Sequence, residues 1–155
     1  GRMESSASEA LAGAPTSPAL EAVLQACRQG TIGRVRHALG QYPELSLSTV
    51  DADAYSLLHG LVQYNFPQLV ALWLEMGRHG GLSRREVVNL RDRWGVTGLI
   101  LAAANGHEEC TALLLRHGAD AAAQDCEGLT AEEWARRRGH RAVLRILREK
   151  RCEGR

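Results

Sequence analysis

Long apolar runs are missing from this 155-residue chain: nothing approaches the roughly 18 consecutive apolar residues of a membrane span or the apolar core of a secretory signal. Membrane contact is therefore not expected. Cysteine is scarce too, with Cys27, Cys110, Cys126 and Cys152 scattered and none in a CxxC pair, which argues against a disulfide scaffold. We read all of them as reduced thiols of a cytosolic or nuclear protein. An excess of either charge is also lacking: 19 Lys plus Arg against 18 Asp plus Glu leave +1, so no global field pulls the chain toward nucleic acid or lipid. There is no phosphate-cradling Gly-rich loop, no HExxH and no nucleophile elbow. What remains is a chain whose length suits one ordinary domain.

The near-zero charge conceals a gradient. From Arg136 onward there are nine cations and two acids, whereas the first 135 residues hold ten cations and sixteen acids. The end is thus about +7 and the rest about −6. Eighteen of the nineteen cations are Arg, whose planar fork suits carboxylate or phosphate. Two readings follow: a solvated last helix, or a basic helix that contacts an acidic partner or nucleic acid with salt-sensitive affinity. Aromatic interleaving stops at Trp134, which argues against specific nucleic-acid readout.

Residues 1–18 carry Ser, Ala, Gly and Pro without an apolar period and are predicted to be a disordered leader, with Gly1 and Arg2 before Met3 resembling a cloning scar. From Leu20 the apolar residues recur at helical spacing: Leu20, Val23, Leu24 and Cys27, then Ile32, Val35, Ala38 and Leu39. Gly30 separates the two predicted helices, and Tyr42 with Pro43 ends them.

Internal repetition decides the fold class. Asp92, Gly95, Thr97, Ala102, Gly106 and His107 recur 33 residues later as Asp125, Gly128, Thr130, Ala135, Gly139 and His140. Upstream, Asp51, Ser56, Leu58 and Ala71 align with Asp92, Thr97, Leu99 and Ala112 at a spacing of 41. The eight extra residues fall near 78–88, where Ser83 and Glu86 form a capping-box signature. Each unit is a turn plus two antiparallel helices that cannot bury their apolar faces alone, so neighbours must stack. Gly95 and Gly128 are predicted to take positive φ in tight turns, and Thr97 and Thr130 to cap the helices that follow. Ala102, Ala103 and Ala135 are small enough for the first helices of the units to approach closely.

The run Asp92-Arg-Trp-Gly-Val-Thr-Gly-Leu-Ile-Leu-Ala-Ala-Ala-Asn-Gly-His107, followed by Leu113-Leu-Leu-Arg-His-Gly-Ala-Asp120, resembles an ankyrin repeat throughout. The resemblance implies an all-α ankyrin-repeat solenoid of stacked helix-turn-helix units with short hairpin tips. Its domain spans 19–150, with repeats near 20–50, 51–91, 92–124 and 125–150 and a tail at 151–155. Several positions depart from the family pattern. Gly98 stands where the family has Pro, Glu132 where it has a core Leu, and Asn65-Phe66 where it has Gly-His, which puts that helix turn in doubt. Glu132 fits only the open face of a terminal cap.

No residue set supports catalysis. His107 and Cys110 lie three apart on one helix, but two ligands are not a metal site. Adjacent acids such as Glu108 and Glu109 point apart on a helix and cannot work as an acid/base couple. No cofactor is expected.

Binding is the function that the resemblance implies, because partners of similar proteins contact the turn tips and the concave face of the inner helices. Carried over by position, the candidate surface comprises Tyr55, Tyr64, Arg91, Arg93, Trp94, Asn105, Trp134, Arg137 and Arg138, with Asp53, Gln63, Val96, Leu101, Cys126, Glu127 and Leu129 also expected to be exposed. Tyr, Trp and Arg are the residues enriched in binding hot spots. Trp94 reads as an exposed anchor or as a cover stacked on a neighbouring turn; Trp134 as an anchor or as packing. Arg137 and Arg138 could clamp a carboxylate or phosphate. Trp73 and His59 read as structural. The 78–88 insertion, with Arg84 and Arg85, reads as a basic tip on the binding face or as a spacer. The leading expectation is a monomeric, non-enzymatic interaction module for an acidic protein partner. Alternatives are a kinase-inhibitor-type protein, from which the insertion departs, and a nuclear regulator using its basic last helix.

Overall fold

A computed structural model describes residues 17–153 of the chain. Of the leader expected over 1–18 only Ser17 and Pro18 fall within that span, and the remainder lies outside the described residues. Among the described residues nine helices follow one another: α1 Pro18–Arg28, α2 Ile32–Gln41, α3 Leu57–Gln63, α4 Pro67–Glu75, α5 Arg84–Val88, α6 Gly98–Asn105, α7 Glu108–Arg116, α8 Ala131–Arg138 and α9 Arg141–Glu153. No strand forms among them. Two isolated antiparallel bridges, Val50 to Ser56 and Arg91 to Thr97, close hairpin-like fingers ahead of α3 and α6. The chain is all-α.

Helices α3, α6 and α8 each start at a hydroxyl that takes up an orphan backbone donor. Ser56 Oγ accepts from the His59 N–H at 3.2 Å, Thr97 Oγ1 from Ile100 at 3.2 Å and Thr130 Oγ1 from Glu133 at 3.3 Å. Gly106 and Gly139 end α6 and α8 at φ 74° and 75°. After α3 the same place is taken by Asn65, at φ 63°. Asn tolerates this conformation because its short polar side chain can bond locally. The turn is preserved: the Phe66 N–H reaches the Leu61 carbonyl at 2.8 Å, as His107 reaches Ala102 at 2.9 Å.

The helices pack in two rows. Helix α6 lies between α3 and α8 in the inner row, α7 contacts α9 and α4 in the outer row, and α1 pairs with α2 and rests on α3. Leu57, Leu58, Leu61, Leu99, Ile100, Leu101 and Leu114 are buried by neighbouring units and not by their own pair alone. Ala102, Ala103 and Ala135 are fully covered where the inner helices pass each other. Gly60 does the same where α1 meets α3, since a Cβ there would lie 2.3 Å from Leu24 Cδ2 and force Leu24 aside. Trp73 is buried, with the Arg78 guanidinium 5.0 Å above its ring.

Histidines stitch neighbouring units together. The His59 ring, at 0% exposure, accepts from the Ser56 N–H through Nδ1 at 3.1 Å, which leaves Nε2–H to donate to the Val96 carbonyl at 2.8 Å. His107 Nε2 donates to the Gln63 carbonyl at 2.9 Å and His140 Nε2 to the Ala104 carbonyl at 3.0 Å. The last two satisfy carbonyls at the C-terminal end of the preceding inner helix, where intrahelical partners run out.

The insertion is packed. Ser83 and Glu86 make both bonds of a capping box at the start of α5. Val87 and Val88 are fully buried, and the Asn89 side chain donates to the Gly118 carbonyl at 3.0 Å while accepting from the Asp120 N–H at 2.7 Å. At the other end of the array α9 runs on through Glu153, so residues 151–153 of the expected tail are helical. In the last described unit Glu132 gathers Arg136 at 3.2 Å, Arg151 at 3.4 Å and Arg148 at 3.5 Å.

Gly98 is the first residue of α6, and a Cβ there would meet only ordinary contacts at 3.6 to 3.8 Å. Thr97 before it has ψ 166°, the extended conformation that a following proline requires. Gly98→Pro should therefore raise stability by about 0.5–1 kcal/mol through the unfolded chain, seen as a higher melting temperature.

Candidate functional site

Three fingers precede α3, α6 and α8, and an aspartate builds each one. Asp51 Oδ1 accepts from the N–H groups of Asp53 at 2.8 Å and Tyr55 at 3.0 Å. Asp92 Oδ1 does the same for Trp94 and Val96, both at 2.9 Å, and Asp125 Oδ1 for Glu127 at 2.9 Å and Leu129 at 3.0 Å. One carboxylate oxygen thus fixes the second and fourth residues after it. Gly95 and Gly128 supply the positive φ that closes the turns, at 74° and 78°. Lateral backbone bonds join the tips: the Arg93 N–H donates to the Asp53 carbonyl and the Cys126 N–H to the Trp94 carbonyl, each at 2.8 Å.

This geometry corrects part of the expected surface. Tyr55, Val96 and Leu129 are each the fourth residue after their aspartate, and the turn sends all of them inward, with Tyr55 only 4% exposed. The Tyr55 hydroxyl donates to Gln63 Oε1, and its ring lies tilted over His59 at 5.3 Å. Leu101 is likewise buried, since α6 is covered by helices on both sides. Arg91 is exposed and runs along the flank of its own finger, where Nη2 lies beside Gly95 and donates to the Gln124 carbonyl at 2.5 Å.

The remaining candidates form two groups. At the finger end, Arg93 is exposed and Trp94 half-buried against the core. Across the inner row, Tyr64, Asn105, Arg137 and Arg138 sit at the C-terminal ends of α3, α6 and α8. An eight-residue inner helix separates the two groups by about 12 Å. Trp134 stands between them, half-buried. Its Nε1–H donates to Asp125 Oδ2 at 2.8 Å, and the Arg138 guanidinium stacks 5.6 Å from its ring centroid. Asp125 therefore holds both a finger and the neighbouring aromatic. The Asn105 amide donates back to the Leu101 carbonyl at 2.9 Å. Arg93 and Arg137 make no ion pair among the described residues.

His107 and Cys110 do not face a common point. The histidine is engaged with Gln63, and the Cys110 thiol donates to Asn65 Oδ1 at 3.7 Å. Among the described residues no three His, Cys, Asp or Glu groups come together to hold a metal. No helix among them is long and apolar enough to cross a membrane.

Residues 58–154, more than half of the chain, match the family model for ankyrin repeats in three copies. The chain belongs to the ankyrin repeat family, whose members are typically non-catalytic and generally mediate protein–protein interaction. It is similar to the espin-like protein of Homo sapiens, with 45% identity over 60 residues, 39% of this chain and 6% of that protein. Ankyrin repeat domain-containing protein 63 of Homo sapiens shares 41% over 66 residues, 43% of this chain and 17% of that protein. Transient receptor potential cation channel subfamily A member 1 of Homo sapiens shares 32% over 122 residues, 79% of this chain and 10% of that protein. The chain spans less than a fifth of the length of each of these relatives.

Burial separates the thiols sharply. Desolvation pushes Cys27 and Cys110 up to about 12, whereas Cys126 at a finger tip and Cys152 on α9 are exposed. A thiol-reactive dye at neutral pH should label Cys126 and Cys152 in the folded protein and reach Cys27 and Cys110 only on unfolding, as peptide mass mapping can check.

Proposed function

We propose that this array is a non-enzymatic adaptor module that grips a segment of an acidic protein partner between its finger tips and inner helices. The observation that carries the reading is the exposed Arg93 guanidinium beside Trp94 on a finger fixed by Asp92, with the Trp134–Arg138 stack on the neighbouring helix. Aromatic and arginine side chains in a shared concavity are the composition of binding hot spots. Their cations select for carboxylates or phosphates. Because the fingers are already bonded to one another, little conformational entropy is lost on binding, which is the advantage of display from a stacked scaffold. The espin-like and channel relatives include this stretch within much longer chains, which is consistent with a docking part that serves other domains.

The basic last helix supports a nucleic-acid or acidic-surface reading less well. Arg148 and Arg151 of α9 turn to Glu132, as does Arg136 of α8, so part of the positive charge is neutralised within the terminal unit.

The test is cross-linked affinity capture with the wild type, with Arg93→Ala plus Trp94→Ala, and with Arg93→Glu alone. Both variants should lose the captured partners, with affinity falling more than about tenfold on the hot-spot scale, while the circular dichroism of Arg93→Glu stays native. Equal capture by all three proteins would remove these residues from the binding surface.

A further inference from the structure

Below the finger tips, at the base of the second finger and beside the loop after α7, the insertion borders a recess of about 750 Å³. Its wall carries four cations from four different parts of the chain: Arg85 of α5, Arg91 on the flank of the second finger, Arg116 of α7 and Lys150 of α9. Asp120 is the one acid lining it, and its Oδ1 already accepts the Ala122 N–H at 2.9 Å. Neither Arg85, Arg91 nor Arg116 has an ion pair among the described residues, and Lys150 has only an exposed contact to Glu153 at 3.8 Å.

The placement of Arg85 is built into the fold. Asn89, one turn further on, clamps the 118–120 loop through its bonds to Gly118 and Asp120. The Arg85 stem then crosses Gly118, whose φ of +95° and missing side chain leave it room: a Cβ there would lie 3.4 Å from Arg85 Cγ. Its neighbour Arg84 points elsewhere, toward the Leu74 carbonyl. With Asp120 the one acid on the wall against four cations, the excess positive charge is self-repelling, and the partly apolar wall concentrates the resulting field into the recess. Of these cations Arg116 also reaches His117, which is held below the usual histidine range by burial first and then by Arg84 and Arg116.

We propose that this recess is a second binding site, separate from the concave face, for a short acidic peptide segment of a partner protein. The volume is that of a ligand pocket and far exceeds what one anionic group fills. Cations spread around it match carboxylates spaced along an extended chain, with Leu115 and Ala119 covering an apolar side chain between them. The cations lie around a recess and do not form the continuous track that follows a nucleic-acid backbone.

The experiment titrates isotope-labelled full-length protein with a synthetic peptide of Glu and Asp interspersed with Leu, at low salt, and maps amide shifts by NMR. Saturable shifts should centre on Asn89, Gly118 and Asp120. Arg85→Glu with Arg116→Glu, both exposed positions, should weaken binding at least about tenfold, whereas Arg93→Ala with Trp94→Ala should leave it unchanged. The wild-type map needs no variant to fold. The proposal is overturned by shifts centred on the fingers and α8, by absence of saturable binding, or by equal affinity of the charge-reversed protein. It is also overturned if phosphatidylserine vesicles or duplex RNA bind more tightly than the peptide with the same dependence on Arg85 and Arg116. Failure here leaves the concave-face reading standing, since that rests on Arg93 and Trp94.

Discussion

One carboxylate oxygen accepting two backbone N–H groups is the interaction on which this molecule's outward face depends. At Asp51, Asp92 and Asp125 it converts a polar, solvated stretch into a finger of fixed shape. Backbone groups that water would otherwise satisfy are consumed inside the turn. The residue just past the aspartate is left outside and the fourth is driven into the core. Presentation of Arg93 and burial of Val96 are therefore two results of the same bond pair. Asp125 extends this logic with its second oxygen, which holds the Trp134 indole and, through it, the stacked Arg138.

Stacking supplies the other half of the stability. A two-helix unit has no interior of its own, so the apolar faces close only against the next unit, and the histidines close the polar remainder between units. His107 and His140 act on exposed helix ends, while His59 is sealed in the core and fixed in one tautomer by Ser56. The far side of the last described unit is polar. Glu132, facing Arg136, Arg148 and Arg151, puts a solvated ion cluster where an internal unit would carry an apolar side chain. Such half-exposed pairs add little individually, and their value here is compatibility with water.

Much of the scaffold is legible in the sequence because local rules and repeat rules agree. The recurrence at 33 residues, the hydroxyl caps at Thr97 and Thr130, the turn glycines and the Ser83–Glu86 box each have one mechanism and one structural outcome. The surface is less legible. Tyr55, Val96 and Leu129 look like tip residues because sequence distance to the turn does not reveal which way a side chain points until the aspartate's two acceptor bonds are known. Arg91 reads as a tip residue like Arg93 from its position in the repeat, yet its guanidinium lies along the flank beside Gly95 and is held by the Gln124 carbonyl, a partner in the next repeat that no local pattern shows. The turn at Asn65 lacks the glycine of the other units, but asparagine takes the left-handed conformation there at φ 63°. The recess beside α5 draws on residues 85, 91, 116 and 150, a set that no local pattern could have joined.

The account's central claim is that the fingers are rigid before any partner arrives, and hydrogen–deuterium exchange on the free protein tests it most directly. The amides of Trp94, Val96, Glu127 and Leu129, which donate to the aspartates, and of Arg93 and Cys126, which join the tips, should exchange as slowly as those of Ile100 and Leu101 in α6. Exchange of these six amides at the rate of an unstructured peptide, with α6 still protected, would contradict it: the fingers would then be loops ordered only by binding.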